Sequence, residues 1–296
     1  MICSTIQTQN GSVGVIHIGL GLIGAAIDHA LAPHLIDRRE HKIKWSSEDE
    51  LLATITEALD SLDRDIQTYE IIWSAGRAGF SAIKEEVALE LDSFTMINRS
   101  LHNRLGAASC RFWLMSSAGG LHEGQVCVNS SDKATPKRPY AELKLRQEQL
   151  VQSLWPAHVI CRVSSVYTVA NLSGRMGLVA VLMLNAVQHR VTTLVGGEST
   201  LRDYVLDSDI GRCIGAAIQH GTVKHGIQYF ISGRPLSIKI IKNEIENITL
   251  KKLYVKFSKI QSNATSITFL PQMKSEMFYP TPFQANIKQL YYNITR

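Results

Sequence analysis

Short apolar runs alternate with longer amphipathic stretches over the first half of the chain. The apolar runs are rich in β-branched and aromatic residues, which is typical of buried strands. Strands are predicted at Val13–Ile18, Lys42–Trp45, Tyr69–Ala75, Arg111–Ser117 and Val159–Val163. The stretches between them have helical spacing of apolar residues. Helices are predicted at Gly21–Ile36, after a Ser47 cap, within Phe80–Leu105 and at Tyr140–Leu154.

This alternation predicts an α/β fold with a doubly wound parallel sheet of the Rossmann type. After residue 168 the pattern loosens, with helices expected at Met176–Ala186 and Asp207–Gln219 and a strand at Gly226–Ser232. We therefore expect a dinucleotide-binding Rossmann domain at residues 1–168, to which residues 203–232 return. Residues 169–202 and 233–296 are expected to form a small C-terminal substrate-binding lobe.

Composition narrows the class of protein without naming a function. The chain has 296 residues, 45% of them hydrophobic and 19% charged, with a net charge of +5. This charge is too small and dispersed to indicate a nucleic-acid partner. The five cysteines include no CxxC pair and no zinc-ligand spacing, which favours reduced thiols, no metal site and a cytoplasmic location. No signal peptide and no membrane-spanning stretch is evident, so we expect no membrane partner.

A glycine motif lies between the first predicted strand and the helix that follows. Gly19, Gly21 and Gly24 form a GxGxxG sequence, with Leu22 and Ile23 between the last two glycines. Glycines allow a tight turn and a close approach of the backbone to a pyrophosphate, and the helix N-terminus supplies free N–H groups. The motif predicts a dinucleotide site, whereas a glycine turn needed only for packing is the alternative.

A second motif carries acid–base chemistry. Tyr140 and Lys144 are four residues apart, so they lie on one face of the predicted helix. An ammonium close to a phenol stabilises the phenolate, which can then take a proton from an alcohol while hydride leaves its carbon. Ser117 ends the strand before this helix, at the sheet edge where α/β proteins bind ligands. Its hydroxyl could bind the same substrate oxygen.

These motifs resemble those of the extended short-chain dehydrogenases/reductases. Within that family, the chain resembles the branch of NAD-dependent epimerases and dehydratases that includes UDP-glucose 4-epimerase. The segments SSAGG, RPYAELK, CRVSSVYT and GGESTLRDYVLDSDIGRCI resemble the family's motifs in the family's order, over most of residues 13–235.

The resemblance implies a role for each matching residue. Ser117, Tyr140 and Lys144 would be catalytic, and Tyr140 and Lys144 would also contact the cofactor, NAD or NADP. The other implied cofactor contacts are Gly19, Gly21, Leu22, Ile23, Gly24, Ser46, Ser74, Ala75, Gly76, Asn98, Ser164 and Val166. The implied contacts with a nucleotide-sugar substrate are Ser117, Ala118, Tyr167 and Arg202. A homodimer is also implied. For Arg202, an ion pair with Asp203 that shapes a turn is the alternative.

The adenosine end of the site departs from the family pattern. A Rossmann half normally ends its second strand with Asp or Glu, which binds the ribose, but here Ser46 and Ser47 follow Trp45. One βα unit is expected to be shortened or missing. Arg38, Arg39 and Ser46 could accept the 2′-phosphate of NADP, or they could belong to a charged surface turn.

The residues after Ser117 bear on the reaction. Dehydratases of the family carry an Asp-Glu pair there, whereas Ala118 and Gly119 follow here, which argues against dehydration. The first hypothesis is therefore a nucleotide-sugar epimerase that transiently oxidises a hydroxyl, at C4. The alternatives are a 4-keto nucleotide-sugar reductase and, in another class, a sensor that binds a dinucleotide without turnover.

Overall fold

The computed structural model describes residues 1–43, 45, 47–62, 65–170, 172, 174–258 and 265–296. The strands are β1 (Ile2–Thr8), β2 (Gly11–Ile18), β3 (Leu35–Glu40), β4 (Tyr69–Trp73), β5 (Cys110–Ser117), β6 (His158–Val163), β7 (Ser165–Tyr167), β8 (Thr192–Val195), β9 (Leu201–Arg202), β10 (Tyr204–Leu206), β11 (Gly226–Phe230), β12 (Leu236–Ser237) and β13 (Val255–Ser258). The helices are α1 (Leu22–Leu31), α2 (Glu48–Asp60), α3 (Lys84–Leu105), α4 (Ala118–Leu121), α5 (Pro139–Leu154), α6 (Leu178–Val187), α7 (Asp207–His220), α8 (Ile238–Thr249) and α9 (Phe283–Thr295).

The central sheet has seven strands in the order β11-β6-β5-β4-β2-β1-β3. Strands β2, β4 and β5 are parallel neighbours, as expected when helices connect successive strands. The predicted α/β class with a mostly parallel, Rossmann-type sheet is confirmed.

The N-terminal strand β1 was not evident from the residue pattern. It forms a hairpin with β2 and is also antiparallel to β3, so it lies between them. Its polar residues Ser4, Thr5 and Thr8 are buried beside Ile2 and Ile6. This mixture of small polar and apolar side chains conceals the strand, because no run or clean alternation marks it.

The second strand of the Rossmann half was predicted at the wrong place. Helix α1 ends at Leu31 and is followed by one 3-10 turn over Ala32–His34, and β3 then runs from Leu35 to Glu40. Residues 41–43 form no strand. The polar sequence of β3 suits an exposed sheet edge, where no apolar run is needed.

The hairpin of β1 and β2 also changes the strand order next to β2. In a doubly wound sheet the strand after the first helix lies beside the first strand. Here β1 has that place beside β2, and β3 lies one position farther out. Among the described residues between β3 and β4, α2 is the one regular element, and the sheet has seven strands.

The described residues form two compact units. The first contains residues 1–121, 136–162 and 211–228, and the second contains residues 122–135, 163–210 and 229–296. Residues 122–135 group with the second unit because Cys127 and Val128 donate backbone hydrogen bonds to Thr268. The substrate-binding role expected of the C-terminal lobe stays a prediction.

Each unit has its own apolar core. In the first, one sheet face packs against α2, α3 and α5, with Trp73, Phe94, Phe112 and Trp155 in successive ring contacts. In the second, α6, α8 and α9 pack around Tyr167, Tyr204 and Leu206. The first core fixes the carboxyl ends of β2, β4 and β5, where the candidate site lies.

Candidate active site at the carboxyl edge of the sheet

The glycine motif forms the turn between β2 and α1. Gly19 has φ +97°, and a Cβ there would lie 2.3 Å from the backbone nitrogen of Ala75. A Cβ on Gly24 would lie 2.1 Å from the carbonyl oxygen of Gly19. These two glycines are required by close packing of strand, turn and helix.

Gly21 serves a different purpose. It is the N-cap of α1 and provides no side-chain cap, and a Cβ there would meet nothing within 4 Å. The first-turn amides, which include Leu22, Ile23 and Gly24, have no acceptor within an α-helix. The opening in front of them fits an anionic group such as a dinucleotide pyrophosphate.

The segment after β4 closes this turn. Ser74 donates from Oγ to the carbonyl oxygen of Gly19, and its Oγ lies 2.9 Å from Nε2 of His17. Burial lowers the pKa of His17 to about 3, so the imidazole is neutral at physiological pH. Ser74 therefore fixes the glycine turn, while Ala75 contacts Gly19 through its backbone.

Glu90 holds the next part of this segment and was missed by sequence reasoning. Its Oε2 accepts hydrogen bonds from the backbone nitrogens of Arg77 (2.8 Å) and Ala78 (2.9 Å). A Cβ on Gly76 would lie 2.7 Å from its Oε1, so the carboxylate packs against that glycine. Nothing in the sequence distinguishes Glu90 from the other acidic residues of α3.

The structure brings Ser117, Tyr140 and Lys144 together. Ser117 ends β5, and Tyr140 lies in the first turn of α5. A Cβ built on Gly120 would lie 3.1 Å from Oγ of Ser117 and 3.2 Å from Cε1 of Tyr140, so both border the same glycine. Nζ of Lys144 lies 5.9 Å from the centroid of the Tyr140 ring. The three side chains that the sequence predicts for proton transfer therefore lie close together.

Lys144 is a buried cation with protein partners. Its Nζ donates to Oε1 of Gln147 at 3.0 Å and to the carbonyl oxygen of Met115 at 3.3 Å. Burial lowers the pKa of Lys144, and the carboxylates of Glu90 and Glu148 oppose that effect.

A buried ion pair, also missed by sequence reasoning, lies directly behind these residues. Glu148 accepts from Nε (3.0 Å) and Nη2 (2.7 Å) of Arg162 and from Oγ of Ser116 (2.5 Å). The network joins β5, α5 and β6 next to Ser117 and Lys144. The repeat of Tyr140, Lys144 and Glu148 every four residues is a signal that could have found it.

Asn98 is an expected cofactor contact that lies in the core. It is fully buried, its Nδ2 donates to the carbonyl oxygen of Phe94 (2.9 Å), and its Oδ1 accepts from Nε1 of Trp155 (3.1 Å). Both amide groups have partners there, and the expected contact with the cofactor stays a prediction. Ser46 lies outside the described residues, and Ala118 is fully buried at the start of α4.

The arginines considered for NADP are in ion pairs. Arg38 contacts Asp28 at 2.7 Å and Glu40 at 2.5 Å, and Arg39 contacts Asp37 at 3.1 Å. A 2′-phosphate would therefore compete with carboxylates for these guanidinium groups.

Four other expected contacts lie in the second unit, namely Ser164, Val166, Tyr167 and Arg202. Ser164 donates to Oδ1 of Asp203 (2.8 Å), which also accepts from the backbone nitrogen of Ser232 (2.7 Å), and Val166 is half-buried in β7. Nη1 of Arg202 donates to the carbonyl oxygens of Leu201 and Thr265.

Tyr167, an expected substrate contact, is buried, and that contact stays a prediction. It is 1% exposed, and its hydroxyl accepts from Nδ2 of Asn286 at 2.9 Å. Its ring packs edge-on against Phe283. Its role in the structure is therefore in the core of the second unit.

Comparison with known proteins gives a consistent likeness of fold. The chain is similar to UDP-glucose 4-epimerase from Thermus thermophilus in complex with NAD, at 16% identity and TM-score 0.74, covering 96% of this chain and 98% of that one. It is also similar to UDP-glucose 4-epimerase from Thermotoga maritima with UDP-glucose, at 15% identity and TM-score 0.72, with the same coverage. RMD from Pseudomonas aeruginosa, complexed with NADPH, is similar at 17% identity and TM-score 0.70, covering 95% and 99% of the two chains.

No curated protein sequence matches the chain. Among the described residues, no helix is both long and apolar enough to cross a membrane. The family model described as "NAD dependent epimerase/dehydratase family" matches residues 18–232. The chain therefore belongs to the NAD-dependent epimerase/dehydratase family.

Proposed function

We propose that the protein is a nucleotide-sugar epimerase that transiently oxidises the hydroxyl at C4 of the sugar. The observation that carries this proposal is the convergence of Ser117 and Tyr140 on Gly120, with Lys144 next to the Tyr140 ring. This group lies at the same sheet edge as the glycine turn, so the residues for proton transfer and for dinucleotide binding belong to one site.

NAD or NADP supplies a hydride acceptor when it is bound. The amides at the start of α1 would bind its pyrophosphate, and Lys144 and the segment 74–76 would border its nicotinamide end. The fit rests on the open space at Gly21 and on the tight packing that makes Gly19 and Gly24 obligatory.

The chain's own residues account for the proton transfers. Oγ of Ser117 would bind the reacting hydroxyl and hold it against Tyr140. The phenolate of Tyr140, stabilised by the Lys144 ammonium, would take the hydroxyl proton as hydride leaves the carbon. After the keto sugar turns over, Tyr140 would return the proton when hydride is delivered to the opposite face.

Other parts of the prediction belong to this proposal. Arg202 would contact the phosphates of the nucleotide sugar, a task suited to a guanidinium fork. The cytoplasmic location is supported by the five cysteines, none of which forms a disulfide in the described part of the chain, as suits a reducing compartment. The homodimer is retained from the family resemblance.

Mass spectrometry of small molecules released from the purified protein tests this function. An epimerase regenerates its cofactor in every cycle, so about one NAD or NADP per chain should be released. Interconversion of nucleotide sugars should then proceed without added cofactor. Turnover only with added NADPH would indicate the 4-keto reductase instead. A dinucleotide retained without turnover on a panel of nucleotide sugars would favour the sensor.

A further inference from the structure

Gln147 is a fully buried amide on the same helix as Tyr140 and Lys144. Its Oε1 accepts the hydrogen bond from Lys144, whereas its Nε2 has no hydrogen-bond partner among the residues that the structure describes. A buried amide with an unpaired group costs folding free energy. The hydrogen bond to Lys144 is the favourable contact of this side chain that offsets the cost.

The surroundings of Lys144 show why that bond matters. Met115 on β5 supplies a second acceptor at 3.3 Å, longer than the 3.0 Å bond to Gln147. The charged groups that act on Nζ are Glu90 on α3 and Glu148 on α5. Glu148 is already bound by Arg162 on β6, so part of its charge is compensated.

We propose that Gln147 is a positioning residue that keeps Lys144 charged and directed at Tyr140. The proposal rests on the proposed function, in which the Lys144 ammonium stabilises the Tyr140 phenolate. A buried ammonium that loses its shorter hydrogen bond gives up its proton more readily. The phenolate would then form only at higher pH.

Ultraviolet difference titration of the phenolate tests this inference without a substrate. For each variant, the titration is measured with Tyr140 present and again with Tyr140→Phe added. The difference between the two curves is the titration of Tyr140. Gln147→Met, which keeps the length and removes the acceptor, should raise the titration midpoint by about one pH unit. Gln149→Met is the matched control, since Gln149 is exposed on the same helix and should leave the midpoint unchanged.

Carbon-13 NMR of Cε-labelled lysine gives a second readout, in which the direction of the shift in the Lys144 titration is the test. The Lys144 signal is assigned by its loss in Lys144→Met. Its titration should move to lower pH in Gln147→Met and to higher pH in Gln147→Glu, because a carboxylate at this distance favours the ammonium. A purely structural role for Gln147 would not give opposite shifts in the two variants. Thermal unfolding of each variant verifies that it is folded.

The possible outcomes separate this inference from the proposed function. If Lys144→Met raises the phenolate midpoint and Gln147→Met does not, the role of Gln147 is refuted and the catalytic pair stands. If neither variant moves the midpoint, Lys144 does not stabilise the phenolate, and the proposed function fails as well.

Discussion

Arg162→Met tests whether the buried ion pair behind the candidate site holds it together. The side chains of Arg162 and Glu148 are 9% and 2% exposed, and two hydrogen bonds of 3.0 and 2.7 Å join them. Removing one partner of a buried pair leaves an uncompensated charge, which costs about 3–5 kcal/mol. At about 2–4 °C per kcal/mol for chains of this general size, the melting temperature should fall by about 10 °C.

Two further variants make this prediction specific. Arg146→Met removes an exposed arginine from the same helix and should change stability by less than about 0.5 kcal/mol. The double variant Glu148→Gln, Arg162→Met removes both charges, so it should be more stable than Arg162→Met alone. Denaturant unfolding gives the free energies. A loss below about 1 kcal/mol in Arg162→Met, or a double variant that is less stable still, would refute the reasoning.

Four other substitutions have outcomes that follow from the structure. Gly21→Ala should keep the melting temperature but weaken NAD or NADP binding by at least about tenfold in calorimetry, because its methyl group enters the opening at the helix start. Gly24→Ala should lower the stability itself, since that methyl group meets backbone; equal melting temperatures would contradict this contrast. Burial raises the pKa of Glu70 to about 7. The folded protein thus holds this proton more tightly than the unfolded chain, and stability should fall by about 3 kcal/mol as pH rises from about 4.5 to 7, a dependence that Glu70→Gln should remove. Asn98→Leu should lower the unfolding free energy by about 2 kcal/mol while leaving dinucleotide affinity intact, because the amide has its partners in the core; weaker binding in a folded variant would support the cofactor contact instead.

The sequence sufficed for the parts of the fold that local pattern determines. Strand β2, the glycine turn and α1 follow from an apolar run, three glycines and helical spacing. The same holds for β5 and α5, which carry Ser117 and Tyr140. In each case one stretch of chain specifies both the element and the position of its functional residue.

Strands β1 and β3 could not be predicted in this way. Strand β1 has a mixed polarity, and although its hairpin with β2 is local, its pairing with β3 is a longer-range contact that a local pattern does not encode. The predicted strand at Lys42–Trp45 was wrong because an edge strand such as β3 can be polar.

The supporting contacts of the site were also missed, and apart from the four-residue repeat that ends at Glu148 they have no local signal in the sequence. Glu90, Gln147 and Arg162 come from α3, α5 and β6, and their partners are distant in sequence or hidden on a buried face. Tyr167 and Asn98 are residues that the sequence motifs single out but that the structure places in the two cores. They match family motifs by position, but their polar groups are used by Asn286, Phe94 and Trp155 in the two cores.

Proton NMR of nucleotide hexoses incubated with the purified protein in deuterated water tests the central claim most directly. Transient oxidation returns the same hydride to the sugar, so the account predicts interconversion at C4 without added cofactor and without deuterium at that carbon. Tyr140→Phe should abolish the interconversion. The purified variant should still carry bound dinucleotide, which mass spectrometry detects after its release. Deuterium incorporated at C4, or full activity in Tyr140→Phe, would contradict hydride transfer assisted by Tyr140.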